Sequence, residues 1–191
     1  MDSLPIGDYA LLSDCRSAAL VSRAGSVDWL CFPRFDSPAI FARILDSGAG
    51  HFSIRPAGEF RASRVYADQT MALETTFATA AGTAVLTDAM AMGRSERGHD
   101  LGAGSPGVLL RRLACTAGEI DIEVSYAPRP EYGLIHPILE AIPGGVAARG
   151  AERGFQCHGL VHVRAAGLEV AGRPDREIPA VGVKDPGEHS G

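Results

Sequence analysis

The segment Gly102-Ala103-Gly104-Ser105-Pro106-Gly107 matches GxGxxG, with Asp121 and Glu123 near the acidic position of a dinucleotide fingerprint. That chemistry needs a strand before the glycines and a helix after them, so that a pyrophosphate meets a helix N-terminus. Here a polar run, 94–100, comes first and a β-type run follows, so the segment reads as a loop. His158 and His162 lie four apart. On a strand they would share a face about 13 Å apart, too far for one metal. No cysteine or acid is arranged to join them, so they read as surface or partly buried histidines and no metal is expected. Cys15, Cys31, Cys115 and Cys157 are far apart, with no CxxC, and read as reduced thiols of a cytoplasmic protein. No GxSxG, HExxH, Walker A or zinc-finger spacing occurs. Acids are plentiful enough for a glycosidase pair, yet most fall on solvated strand faces or turns, and the pattern selects none. No catalytic residue and no cofactor is assigned.

The elements around these residues are mostly strands. Residues 18–22 and 27–32 flank turn chemistry at Arg23-Ala24-Gly25-Ser26 and read as a hairpin. Strict alternation puts Val27, Trp29 and Cys31 on one face of it and Asp28, Leu30 and Phe32 on the other. Ser37-Pro38 is a helix-start signal, and Ile40, Phe41, Ile44 and Leu45 fit one helical face. One short helix is therefore expected over 38–46, ended by Gly48-Ala49-Gly50. Strands follow at 51–55 and 61–66, and a second hairpin at 71–77 and 83–90. A third hairpin is expected from 108–115 and 120–127 around Thr116-Ala117-Gly118-Glu119. Weaker strands fall near 138–142, 146–149 and 160–165, with Pro143-Gly144-Gly145 as a turn. From Gly167 periodicity fades, and 167–191 reads as an irregular or disordered tail. The expected domain is thus 1–166, an all-β antiparallel sandwich with that one helix.

Composition agrees with a soluble β-rich domain. Of the 191 residues 46% are apolar and 21% charged, while 23 glycines and 12 prolines favour many turns over helices. A net charge of −5 without a basic tract argues against nucleic acid or an anionic membrane as partner. Neither a signal peptide nor a run of ~18 apolar residues is visible.

The stretch from Ile6-Gly7-Asp8-Tyr9 through Leu20-Val21 resembles the opening of bacterial glycoside hydrolase family 15 proteins. It continues into Gly25-Ser26-Val27-Asp28-Trp29-Leu30-Cys31-Phe32-Pro33-Arg34-Phe35-Asp36-Ser37-Pro38, which is similar to that family's hallmark segment. Leu73-Glu74-Thr75-Thr76-Phe77, Leu86-Thr87-Asp88-Ala89-Met90 and Pro128-Arg129-Pro130-Glu131-Tyr132-Gly133 agree in order. The resemblance implies the N-terminal sandwich of a trehalase- or glucoamylase-type α-glucoside hydrolase. In that family an (α/α)6 barrel carries two glutamates for inverting hydrolysis, their carboxyls roughly 6.5–9.5 Å apart. The chain ends before such a barrel, and its tail lacks the further strands the family would show, which suggests a truncated, frameshifted or deliberately cut reading frame. The chain alone is expected to be inactive, with a catalytic barrel in cis or trans as partner and an α-glucoside or trehalose at the shared cleft.

Two readings of the hallmark residues stand side by side. Trp29 on an alternating strand is most simply core. Arg34-Phe35-Asp36 is either a rigid loop with an internal Arg–Asp pair or the piece that docks on the barrel and shapes the rim of its cleft. The alternative for the whole chain is a stand-alone carbohydrate-binding or structural sandwich module, against which the single Trp and 6% aromatic content count.

Overall fold

Gly25 closes the first long hairpin at φ +75°, a conformation side chains resist, and an added Cβ would stand 2.5 Å from the Ile54 carbonyl oxygen. The hairpin joins β2 (Ala18–Val21) to β3 (Ser26–Cys31), and β1 (Ala10–Ser13) pairs with β2. The computed structural model describes residues 4–93, 98–142, 145–149, 156–157 and 181–184. The chain continues through β4 (Ala39–Ala42), β5 (His51–Pro56), β6 (Arg61–Tyr66), β7 (Leu73–Ala78), β8 (Gly82–Met90) and β9 (Leu109–Ala127). β10 (Ile138–Ile142), β11 (Gly145–Arg149) and β12 (Gln156–Cys157) form a small separate sheet, and β13 (Val181–Lys184) pairs with β9. The strand order of the main sheet is β1-β2-β3-β5-β9-β8-β7-β6, every pairing antiparallel, with β4 also on β3.

This sheet curls into a sandwich because β9 belongs to both halves. Its first part pairs with β8 through Met90↔Leu109 to Gly82↔Gly118, and its last part pairs with β5 through Pro56↔Ile122 to His51↔Ala127. The third hairpin expected from the sequence is therefore one continuous strand. The turn signal at 116–119 is real chemistry put to another use: Gly118, at φ +65°, sits beside a register shift where β9 leaves one layer for the other. The free edges meet through side chains. Arg64 of β6 donates to the carbonyls of Val21 (3.0 Å) and Asp8 (2.6 Å), and the Tyr66 hydroxyl donates to that of Leu11 (2.8 Å).

One core fills the space between the layers. Leu12, Val21, Val27 and Leu30 come from one side, Leu73, Phe77 and Leu86 from the other, and Ile120, Ile122 and Val124 from β9. Each such side chain contributes roughly 1.5–3 kcal/mol by leaving water. Through this core runs one ion pair. The Asp88 carboxylate accepts twice from Arg111, at 2.8 and 3.1 Å, with both side chains almost wholly buried. Arg111 also donates to the carbonyls of Phe52 (2.6 Å) and Gly25 (2.7 Å), and its guanidinium lies 4.7 Å from the centre of the Phe52 ring. With every guanidinium nitrogen bonded, the pair ties β8 and β9 to the opposite layer.

The expected helix over 38–46 is absent. Residues 39–42 form β4 against β3, and a turn follows at 43–45. A helix would leave one face wet, whereas all four β4 residues are buried. Ile40 and Phe41 enter the main core, and Ala39 and Ala42 pack on the other side with Ala49. Ile40 is an extra residue in the β3–β4 register, which lets neighbours point the same way, and Leu45 is left exposed. The helical residues among those described are short 3₁₀ turns at Ile6–Asp8 and Gly98–Asp100. Within 167–191, read as irregular, the described residues 181–184 are the strand β13, paired with Glu119–Ile122 of β9. The strand expected at 160–165 and the pair His158 and His162 lie outside the described residues.

Candidate functional site

Alternation in β3 breaks at Asp28. Leu20 faces Trp29 and Val21 faces Val27, so Asp28 is the extra residue of a bulge. This corrects the strict alternation: Val27 and Leu30 both enter the main core, while Trp29 packs outside it on Ala39, Ala42 and Ala49. Bulges re-aim side chains in this way. Asp28 is nearly buried, accepting from the Tyr9 hydroxyl (3.0 Å) and the Ser26 hydroxyl (2.5 Å), with Arg43 at 3.9 Å. Its backbone carbonyl accepts from the amide of Ile44. Burial, and then the Asp28 carboxylate it faces, push the Tyr9 phenol up to about 12. His51 Nε2 and Ser125 Oγ share a hydrogen bond of 3.0 Å. Burial first, and then Arg43, hold the His51 imidazole below its ordinary value, opposed by Asp28.

Trp29 meets Tyr132, their ring centres 6.2 Å apart and tilted by 41°. The loop that brings Tyr132 there is strained. Glu131 and Tyr132 lie at φ +56° and +58°, with Gly133 at +101°. Consecutive non-glycine residues in that region cost of order 1–3 kcal/mol each. The loop is held by amide bonds from Arg129 to the Ile40 carbonyl and from Tyr132 to that of Ala39. An added Cβ on Gly133 would come 2.9 Å from the Ala49 Cβ.

Three more loops join next to this one. The Phe35 amide donates to the Arg16 carbonyl (2.7 Å), Arg16 Nη1 donates to the Ala103 carbonyl (2.9 Å), and the Ser105 hydroxyl donates to the Asp14 carbonyl (3.1 Å). Asp14 organises its own loop, with Oδ1 accepting from the amides of Arg16 (2.9 Å) and Ser17 (2.7 Å). Arg34 and Asp36 form an exposed ion pair at 2.9 Å, and that hydrogen bond holds the Asp36 carboxyl below its ordinary value. Between them Phe35 is 65% exposed, and Leu101 on the neighbouring loop is exposed as well. The GxGxxG segment belongs to this junction: Gly102, at φ +83°, lies against the Asp14 carbonyl, and a strand, not a helix, follows it.

The family model described as trehalase-like, N-terminal matches residues 1–169. The chain belongs to this family. It is 41% identical over 146 residues to a trehalase of Mycolicibacterium smegmatis, covering 71% of this chain and 22% of that protein. A trehalase of Mycobacterium tuberculosis is 38% identical over 67% of the chain, and trehalase 1 of Sulfolobus acidocaldarius 35% over 68%, each match covering 20% of the relative. The chain thus spans about a fifth of the length of the curated relatives it matches. No solved structure matches.

In this trehalase-like N-terminal domain the quoted sequence segments converge. The Asp28-Trp29 segment meets Glu131-Tyr132-Gly133, and Asp88 meets Gly25 through Arg111. The structure brings Trp29 and Tyr132 together and places Arg34, Phe35 and Asp36 on a separate loop at the same end of β3. Tyr9, Asp28 and Tyr132 stand in the family-like segments of the sequence without an assigned role, and Arg43 and His51 are not singled out there at all. One signal was available: Asp28 is a lone acid inside an otherwise apolar strand, where a carboxylate needs partners. Among the described residues Cys15 and Cys31 carry free thiols, and no helix is long and apolar enough to cross a membrane.

Proposed function

We propose that this chain acts as the accessory N-terminal domain of a trehalase-type α-glucoside hydrolase, docking on a catalytic domain and shaping the rim of its sugar cleft. The observation that carries the reading is Phe35, an exposed aromatic ring on a loop fixed by the Arg34–Asp36 pair and by the Arg16 carbonyl. An exposed apolar side chain on a rigid loop loses little entropy on binding and suits the centre of an interface. Relatives called trehalases extend far beyond the matched region, which supports a further partner domain; the resemblance of the sequence implies that it is an (α/α)6 barrel. Hydrolysis by that domain needs two carboxyl groups across one cleft, and no such pair is assigned here.

The test supplies the catalytic domain of a relative in trans and measures association and trehalose hydrolysis. The chain alone is expected to hydrolyse neither trehalose nor α-1,4-glucans. Phe35→Ala and Arg34→Ala are expected to weaken association at least tenfold while leaving the sandwich folded. Sustained glucose release by the isolated chain, lost on mutating one of its own acids, would overturn the reading.

A further inference from the structure

We infer that Trp29 and Tyr132 form a binding site for a single pyranose ring, separate from the Phe35 loop. The apolar C–H faces of a pyranose stack on aromatic rings while its hydroxyls need donors and acceptors around the rim. This corner has both. Trp29 is braced from below by Ala39, Ala42 and Ala49, and Tyr132, tilted 41° against it, is 47% exposed. Arg43, about one-third exposed, neighbours Ala42, the residue paired with Trp29, and Glu131 directly precedes Tyr132. Acid and guanidinium groups are both present, which suits a neutral polyhydroxyl ring better than an anion.

Two independent features of the backbone converge on this corner. The β3 bulge turns Trp29 away from the main core, so that it packs half-buried on Ala39, Ala42 and Ala49. On the other side, Glu131 and Tyr132 are held in the costly left-handed region by bonds to β4. Both departures serve to place two rings against each other at the surface. That the ring is a glucoside rests on the function proposed above; that the corner takes a pyranose does not.

Trp29 is the only tryptophan in the chain, so its fluorescence reports this corner without interference. The chain alone is titrated with methyl α-glucoside, maltose and trehalose, and with sorbitol as an open-chain control. A saturable change in the millimolar range with the cyclic sugars, absent with sorbitol, is expected. Tyr132→Ala should weaken it at least tenfold with an unchanged far-ultraviolet circular dichroism spectrum. Calorimetric titration of Tyr132→Phe, which keeps the ring, should retain most of the affinity. No saturable response to any of the three sugars, or an equal response in Tyr132→Ala, would overturn the site. An equal response to galactosides would overturn the glucoside assignment alone. Docking is read separately by the Phe35 variants, so loss of docking with sugar binding intact leaves this site standing.

Discussion

The two ends of the sandwich are built on different terms. At the corner where β9 changes layers, the chain turns at 22–25, 57–60 and 79–81, and no large apolar side chain in those turns is exposed. Backbone bonds link these turns in sequence: Ile54 to Gly25, Ala57 to Asp121, and Glu119 to Ala81. Gly25 and Gly118 take positive φ in tight surroundings. At the other end, loops 14–17, 32–38, 98–107 and 129–135 meet, and they display Phe35, Leu101, Tyr132 and Leu134, the last at 84% exposure. These loops are fastened by isolated side-chain and backbone bonds to carbonyls instead of ladders. The corner makes the fold; the loop end holds apolar groups rigidly in water, which stability alone does not ask for.

The sharpest way to break this contrast is to damage the buried network beside the corner. Asp88→Ala leaves the Arg111 guanidinium buried without its counter-charge, and an expected loss of about 3–5 kcal/mol follows. Replacing both partners with apolar residues should recover much of that loss. Urea unfolding of the three proteins measures it, and a single variant as stable as the parent would sink the role given to the pair. Next in size is Gly25→Ala. The new Cβ meets the Ile54 carbonyl and the Phe77 ring at φ +75°, so a cost of roughly 2 kcal/mol is expected, by the same measurement.

A smaller effect comes from His51, which lies between the two ends. Its folded value is lowered, so the unfolded chain binds the proton more readily. Stability should therefore be full above the ordinary imidazole value of 6.5, fall as pH drops below it, and level off beneath the folded value. His51→Gln, which keeps a polar partner for Ser125, should flatten that slope. Thermal melts from neutral to mildly acidic pH check this, and an unchanged slope in the variant would assign it to other groups.

Much of this architecture is legible in the residues, and the misses share one cause. Local pattern finds β7 and β8 by their clean alternation and glycine turn, and β2 and β3 by their turn, although a bulge breaks the faces of β3. It fails at β4, buried on both sides, and it misassigns faces or turns at the bulges. Ile40 and Phe41 look helical because an extra residue in the register turns neighbours the same way. Gly118 looks like a hairpin turn because a bulge at a sandwich corner uses the same φ. At the candidate site, Arg34, Phe35 and Asp36 stand out as charged and aromatic residues between prolines. Tyr132 does not, since its partner Trp29 lies more than a hundred positions away and only the fold joins them.

The smallest expected effect separates the two ends most cleanly. Phe35→Ala removes a large apolar side chain, a change that inside the core would cost about 3–5 kcal/mol. At 65% exposure the ring has little burial to lose, and its loop is fixed by backbone bonds of Phe35 and Ser37 and by the Arg34–Asp36 pair, none of which needs the ring. The variant should therefore stay within about 0.5 kcal/mol of the parent in denaturant unfolding, the range of ordinary surface changes. Phe77→Ala, in the core, supplies the opposite extreme within the same sandwich. If Phe35→Ala destabilised the chain comparably to Phe77→Ala, the ring would be part of the fold, and the loop end could no longer be set apart from the corner as a surface kept for a partner.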